Sequence, residues 1–226
     1  MKTGFIFKNI HSSDMEVKVV SLPSPSLAEE NVTETQIDGR DGHLSEFNGY
    51  NGDTKEVEAD YFSTNTTKLL NWLRGSGEVV FSNMPDRYYK ARISNKVPLD
   101  QILKNFHNFL IQFRCQPFGY LLEGKEVITL TGSATLYNEK ATYESLPVIT
   151  IYGTGSCTFT INSTTFTISE IGGSITIDCD AEEVLNDKGE YMEGEFPVLA
   201  VGENAISFTG SNVTIVEVTP NWRSLV

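Results

Sequence analysis

From residue 136 onward the chain alternates short runs of β-branched and aromatic residues with turn residues, and this pattern allows few folds. The run at 148–152 lies between a proline and a glycine, and in 157–161 apolar side chains alternate with threonines. A strand places successive side chains on opposite faces, so this alternation predicts half-buried strands. Further strands are predicted at 165–168, 174–179, 205–209 and 213–218. Many short strands with regular turn signals favour an antiparallel β-sandwich.

The chain before residue 136 is predicted to contain both strands and one helix. Within 66–74, four apolar residues cluster on one face at helical spacing: Leu69, Leu70, Trp72 and Leu73. Asn65 or Thr66 can accept hydrogen bonds from the free amides at the start of this helix. Gly75 can adopt the left-handed conformation that ends it.

Other parts of this region carry weaker signals. A period of two over 109–115 predicts another half-buried strand. Two prolines precede a segment at 29–31 that we expect to be an acidic loop, and turns are expected at 39–42 and 48–52. A proline at the start of 98–104 can begin one short helical turn.

Charge changes at the same point as the strand pattern. Residues 1–135 hold 14 basic and 17 acidic side chains, a net of -3, whereas residues 136–226 hold 3 and 13, a net of -10. Together with the change in composition, this predicts an N-terminal domain at 1–136 and a C-terminal domain at 137–226. The overall formal charge of -13 argues against a DNA-capturing surface, which needs a basic face, and against binding to anionic membranes.

Motifs that carry chemistry are missing from the sequence. There is no Gly-x-Ser-x-Gly elbow, no phosphate-binding loop and no zinc helix, and the three cysteines lack metal-site spacing. A cell-wall hydrolase would need a carboxylate pair or a His/Cys site, and no such site can be singled out. We therefore expect no enzyme activity, no metal and no cofactor. The first residues are too quickly polar for a secretory signal, which predicts synthesis in the cytoplasm.

A carbohydrate-binding module is the second interpretation that the residues leave open. Five aromatic residues of the second domain could line a sugar-binding face: Tyr137, Tyr143, Tyr152, Tyr191 and Trp222. Aromatic side chains in a β-sandwich also serve as packing or interface residues. The sequence alone does not separate these roles, but cell-wall glycans would be the ligand of such a module.

Several segments together resemble siphophage distal tail proteins (Dit). The resemblance covers nearly the whole chain and rests on the order and spacing of turn and packing residues. The segments that carry it are 7–14, the turn at 39–42, 50–53, the helix at 69–73, 88–92, 113–118, 196–204 and 220–223.

This resemblance implies a mainly β protein of two domains. The first would be a β-sandwich-like, ring-forming domain with one α-helix, and the second a galectin-like antiparallel β-sandwich. Such proteins form a hexameric ring at the end of the tail tube. Tube and tape-measure proteins lie above it, and the tail-associated lysin or tip protein lies below. In some phages receptor-binding proteins attach at the side. DNA crosses the ring only in transit, no catalysis is expected, and the protein would reside at the virion tail tip.

Two hypotheses follow for the surfaces of such a ring. Because the first domain is nearly neutral, we expect it to supply both sides of the ring contact, whereas the acidic second domains would repel one another. An acidic channel lining would keep DNA from sticking, and the candidates in turn-rich segments are Asp38, Asp41, Asp53 and Glu56. A galectin-type sugar site is not expected, because the second domain has no histidine and its one arginine is Arg223.

Overall fold

The computed structural model describes residues 2–97, 100–103, 106–210 and 212–225, with the backbone alone over 100–103. It divides into two compact units, of which the first runs to Gly119 and the second spans Tyr120–Ser224. This division comes earlier than the boundary expected at residue 136. Charge and composition change late, whereas strands at 128–130 and 134–138 already pair within the second unit.

The strands of the first unit form one main sheet and one separate hairpin. In chain order the elements are β1 (Phe5–Phe7), β2 (Ile10–His11), β3 (Val17–Ser21), β4 (Glu30–Gln36), β5 (His43–Tyr50), β6 (Asp53–Tyr61), α1 (Thr66–Trp72), β7 (Ser76–Phe81), β8 (Arg87–Ile93), β9 (Asp100–Leu103), β10 (Phe106–Cys115) and β11 (Phe118–Leu121). The main sheet has the antiparallel order β2-β1-β7-β8-β10-β6-β3, and β9 pairs with β10. In the part of the chain that the structure describes, strands β4 and β5 pair only with each other.

Aromatic side chains and α1 build the core of the first unit. Asn65 Oδ1 accepts a hydrogen bond from the amide of Lys68 at 3.1 Å, which caps the helix as expected. Trp72 stacks on Phe5 at 5.5 Å between ring centroids, and its Nε1 donates to the carbonyl of Phe7 at 3.0 Å. Leu70 lies on the solvent side of the helix instead of on the expected apolar face.

The segment expected to form a helical turn at 98–104 contains a strand instead. Residues 100–103 form β9 and pair with β10, so pairing with a neighbouring strand overrides the local signal. Residues 98, 99 and 104 of that expected turn lie outside the described part of the chain.

The second unit is an antiparallel β-sandwich. Its strands are β12 (Ile128–Leu130), β13 (Ala134–Asn138), β14 (Val148–Gly153), β15 (Cys157–Ile161), β16 (Thr164–Ile168), β17 (Gly173–Asp178), β18 (Glu183–Val184), β19 (Met192–Gly194), β20 (Gly202–Thr209) and β21 (Val213–Thr219), and β22 (Arg223–Leu225) follows. One sheet has the order β12-β21-β14-β17-β18 and the other β13-β20-β15-β16-β19. Their facing apolar residues form one buried cluster, so the expectation of a mainly β, antiparallel fold is confirmed.

All three cysteines are free thiols buried in the cores. Burial raises the pKa of the Cys115 and Cys179 thiols to about 12, and it also raises the pKa of Cys157. These thiols therefore stay protonated and unreactive at neutral pH. Among the described residues, no helix is long and apolar enough to cross a membrane.

Candidate assembly surfaces

A protruding hairpin, here called the arm, consists of β4, the turn at 37–42 and β5. Val32 lies opposite Phe47 and Thr35 opposite Leu44, so the two strands are paired over most of their length. Nearly every arm residue is exposed to solvent. An isolated two-stranded hairpin is at best marginally stable in water, so its surface is suited to contact with another protein.

The arm combines apolar and acidic side chains. Its exposed large apolar residues are Val32, Ile37, Leu44 and Phe47. Over 30–50 it carries five carboxylates and one arginine, a formal net of -4 with His43 neutral. At its base the ring of Phe47 lies 5.1 Å from that of Tyr50, which lies 6.3 Å from Phe118. These contacts hold the base of the arm.

The four acidic residues selected from the sequence lie on two different elements. Asp38 and Asp41 are exposed in the turn of the arm, whereas Asp53 and Glu56 lie on β6. Asp53 has a structural contact that the sequence does not reveal. Its Oδ2 accepts hydrogen bonds from Ser26 Oγ at 2.7 Å and from Lys55 Nζ at 3.1 Å.

Lys55 is almost completely buried, which is unusual for a lysine. Its ammonium lies 4.8 Å from the centre of the Tyr89 ring as well as beside Asp53. Burial alone would raise the pKa of Asp53. The hydrogen bonds from Ser26 and Lys55 and the charge of Lys55 outweigh that effect and lower the pKa below 3.8. Asp53 therefore compensates a buried charge.

The exposed face of β6 carries a continuous row of carboxylates, here called the acidic row: Glu56, Glu58 and Asp60. Gln112 Nε2 donates to Glu56 at 2.8 Å, and Asn108 Nδ2 donates to Asp60 at 3.0 Å. The sequence reasoning missed Glu58 and Asp60. Their signal was the period of two along β6, which places every second residue on this face.

The same face of the sheet also carries basic residues on β8 and β10. Arg92 lies directly opposite Arg114, and Lys90 is exposed two residues before Arg92. Arg114 Nη1 donates to Thr54 Oγ1 across to β6 at 3.4 Å. The acidic row therefore lies between basic residues on the same face: Lys18 of β3 is opposite Asp60, and Arg114 and Arg92 lie on β10 and β8.

The profile of the phage tail protein RIFT-related domain family matches residues 20–115, a segment that includes the arm, the acidic row and α1. Over these residues the chain is similar to a phage tail domain. No curated protein sequence matches the chain.

Solved structures show a similar fold over nearly the whole chain. The Dit (gp 19.1) protein of phage SPP1, described as a paradigm of the hub adsorption apparatus in phages that infect Gram-positive bacteria, has a TM-score of 0.71 at 17% identity. The match covers 95% of this chain and 97% of that one. A chain of the phage P2 baseplate, in its activated conformation with Ca, has a TM-score of 0.53 at 10% identity. That match covers 95% of this chain and 96% of the baseplate chain. The shared fold confirms the expected resemblance to distal tail proteins.

The aromatic residues of the second unit that could have bound sugar do not share one surface. Trp222 is buried in the core of the sandwich. Tyr137 lies on the outer face of β13, whereas Tyr152 lies on the outer face of the other sheet, where its hydroxyl donates to Glu217 at 2.9 Å. The guanidinium of Arg223 lies over the ring of Tyr143. The arrangement therefore gives no support to a sugar-binding face made by this set.

Arg223 serves the packing of the second unit. It is largely buried, and its Nε donates to the carbonyl of Glu144 at 2.6 Å. Over the described ranges, no group of three or more His, Cys, Asp or Glu side chains is arranged to hold a metal ion.

Proposed function

We propose that this chain is a structural, non-enzymatic subunit of a phage tail hub, and that it forms a hexameric ring at the distal end of the tail tube. The observation that carries the proposal is the similarity of residues 20–115 to a phage tail domain, within a fold shared over 95% of the chain with the SPP1 Dit protein. The ring joins the tube and the tape-measure protein on one side to the tail-associated lysin or tip protein on the other. It is made in the host cytoplasm and resides at the virion tail tip.

The distribution of charge supports a ring built from the first unit. With the division at Gly119, the first unit has 13 basic and 15 acidic residues, a net of -2, and the second has 4 and 15, a net of -11. A ring needs a head-to-tail contact that closes on itself. The nearly neutral first unit can make it without strong repulsion, and the acidic second unit is suited to the periphery, where it can carry receptor-binding proteins.

Light scattering of the purified full-length chain tests the ring directly. We expect a particle of six times the 25.1 kDa chain mass, in equilibrium with monomer at low concentration. Electron micrographs should show a central opening. A chain that stays monomeric at the highest soluble concentration would contradict the ring.

We further propose that the acidic row faces the channel and lets DNA pass without capture. A strip of carboxylates repels phosphates, and attraction of phosphates to basic residues dominates DNA affinity. The turn of the arm, with Asp38 and Asp41, adds further negative charge to the first unit. A cryo-EM structure of the ring with Arg92 and Arg114 at the channel wall instead would overturn this placement.

Replacing the acidic row by lysine is expected to convert a channel that DNA can pass into one that binds it. In the triple variant Glu56→Lys, Glu58→Lys and Asp60→Lys, rings should bind double-stranded DNA with an affinity that falls steeply with salt. The control changes three exposed carboxylates of the second unit in the same way, at Glu139, Glu182 and Glu190. The row variant should bind about tenfold more tightly than the control, because a channel concentrates the field of its lining. Equal affinities, measured by fluorescence anisotropy, would argue against the placement.

A further inference from the structure

A groove of about 410 Å³ opens beside α1 in the first unit. Its walls are mainly apolar, with Leu70, Leu73, Ile93 and Val97 among the lining residues. Leu70 exposes 44% of its surface although it lies on a helix whose other leucines are buried. The groove therefore offers unburied apolar surface next to the helix.

The surroundings of this groove are basic. Arg74 is the charged member of its lining, and Lys96 lies between the lining residues Asn95 and Val97. The ammonium of Lys8 donates to the carbonyl of Arg74, and Lys68 is on the same helix. Neither 62–77 nor 93–97 contains a carboxylate. A partner that fits this surface is apolar and acidic.

The arm has this chemistry. It exposes Leu44 to 58% and Phe47 to 53%, and it carries a net charge of -4. Arm and groove are both open to solvent within one copy of the chain. We propose that the arm of one copy binds the α1 groove of the next copy, with its apolar side chains in the groove and its carboxylates near Arg74. This deepens the ring proposed above and rests on it.

Such a contact is heterologous, because two different surfaces of the chain meet. Each copy then offers one arm and one groove, so copies add head to tail and the series can close into a ring. Burial of the arm's apolar residues also removes the exposure that makes a lone two-stranded hairpin marginal. Charge complementarity gives the contact its direction and disfavours arm-to-arm pairing.

Disulfide trapping between two full-length single variants tests the contact, because all native thiols are buried. One variant is Leu44→Cys in the arm, and the other is Leu70→Cys in the groove. The two are mixed at equal concentration and oxidised, and linked peptides are identified by mass spectrometry. We expect a 44–70 disulfide as the main product. The control pairs Leu44→Cys with Leu110→Cys, an equally accessible site on the outer face of β10, and should give little product.

A charge reversal sharpens the test. Adding Arg74→Glu to the groove variant should lower the yield of the 44–70 product about tenfold, because it places like charges together, whereas Arg74→Lys should preserve it. If wild-type rings form but the 44–70 product does not exceed the 44–110 control, the arm contact is wrong and the ring stands. If the product forms while the wild type never exceeds small oligomers, the contact stands and the hexameric ring is wrong. If neither appears, both proposals fail.

Discussion

Replacing Phe113 by alanine is expected to lower the free energy of unfolding of the first unit by about 3–5 kcal/mol. Its side chain is fully buried on β10. The ring lies at 5.4 Å from that of Phe5, 5.5 Å from that of Phe7 and 5.7 Å from that of Phe81, all edge to face. Truncation leaves a cavity among three rings that cannot easily collapse, and it removes the favourable edge-to-face contacts.

Urea denaturation followed by circular dichroism measures this loss. The matched control is Leu110→Ala on the same strand, because Leu110 points to the opposite, exposed face. We expect the control to change the free energy of unfolding by less than about 0.5 kcal/mol. Similar losses for the two variants would show that β10 is not packed as described.

Replacing Asp53 by alanine is expected to destabilise the first unit by about 2–3 kcal/mol. The change leaves the buried ammonium of Lys55 without its carboxylate, and breaking a buried pair costs about 3–5 kcal/mol. We place the effect below that range because Asp53 itself is about a third exposed and water can partly replace it. The double variant Asp53→Ala with Lys55→Met should recover most of the loss, because an apolar side chain fills the same space without a charge. Failure of the double variant to recover would point to the Ser26 contact as the main contribution.

The Asp53 pair also predicts a dependence of stability on pH. The pKa of Asp53 is lowered in the folded chain below its ordinary value of 3.8, so the pair contributes fully above that value. As pH falls through 3.8 to the lower folded-state pKa, the carboxylate takes up a proton and the contribution is lost. In Asp53→Asn this part of the acid dependence should disappear, whereas Glu56→Gln on the exposed face of the same strand should retain it. Thermal unfolding between pH 5 and pH 2 checks the difference.

Most strands of the second unit were predictable because their pattern is local, but β12, β13, β18 and β19 were not among the strands expected. The run expected at 148–152 corresponds to Val148–Gly153, and the run at 213–218 to Val213–Thr219. There buried and exposed side chains alternate with a period of two, and turn residues bound the strands. The helix at 66–74 was also predictable, because its Asn65 cap and the buried Leu69 and Trp72 agree with the observed Thr66–Trp72, although Leu70 is exposed.

The arm was not predictable in the same way. Its first strand begins where an acidic loop was expected at 29–31, and its polar residues give no alternation between a core and solvent. Strand formation there depends on the pairing of β4 with β5. Because both faces of this hairpin are exposed, the sequence shows no alternation of buried and exposed residues. Lys55 illustrates a related limit. Its position on the inner face of β6 follows from the period of two, but a buried lysine with a carboxylate partner two residues away resembles an ordinary surface pair in the sequence.

The length of the outermost strands of the sandwich affects how readily the protein aggregates. Of the four edge strands in the described part of the second unit, β13 has five residues, whereas β12, β18 and β19 are only two or three residues long. A long, flat edge is a template on which further chains can add and grow into insoluble aggregates. Edges this short give an incoming strand too few backbone groups to pair with. We therefore expect the protein to remain dispersed at high local concentration.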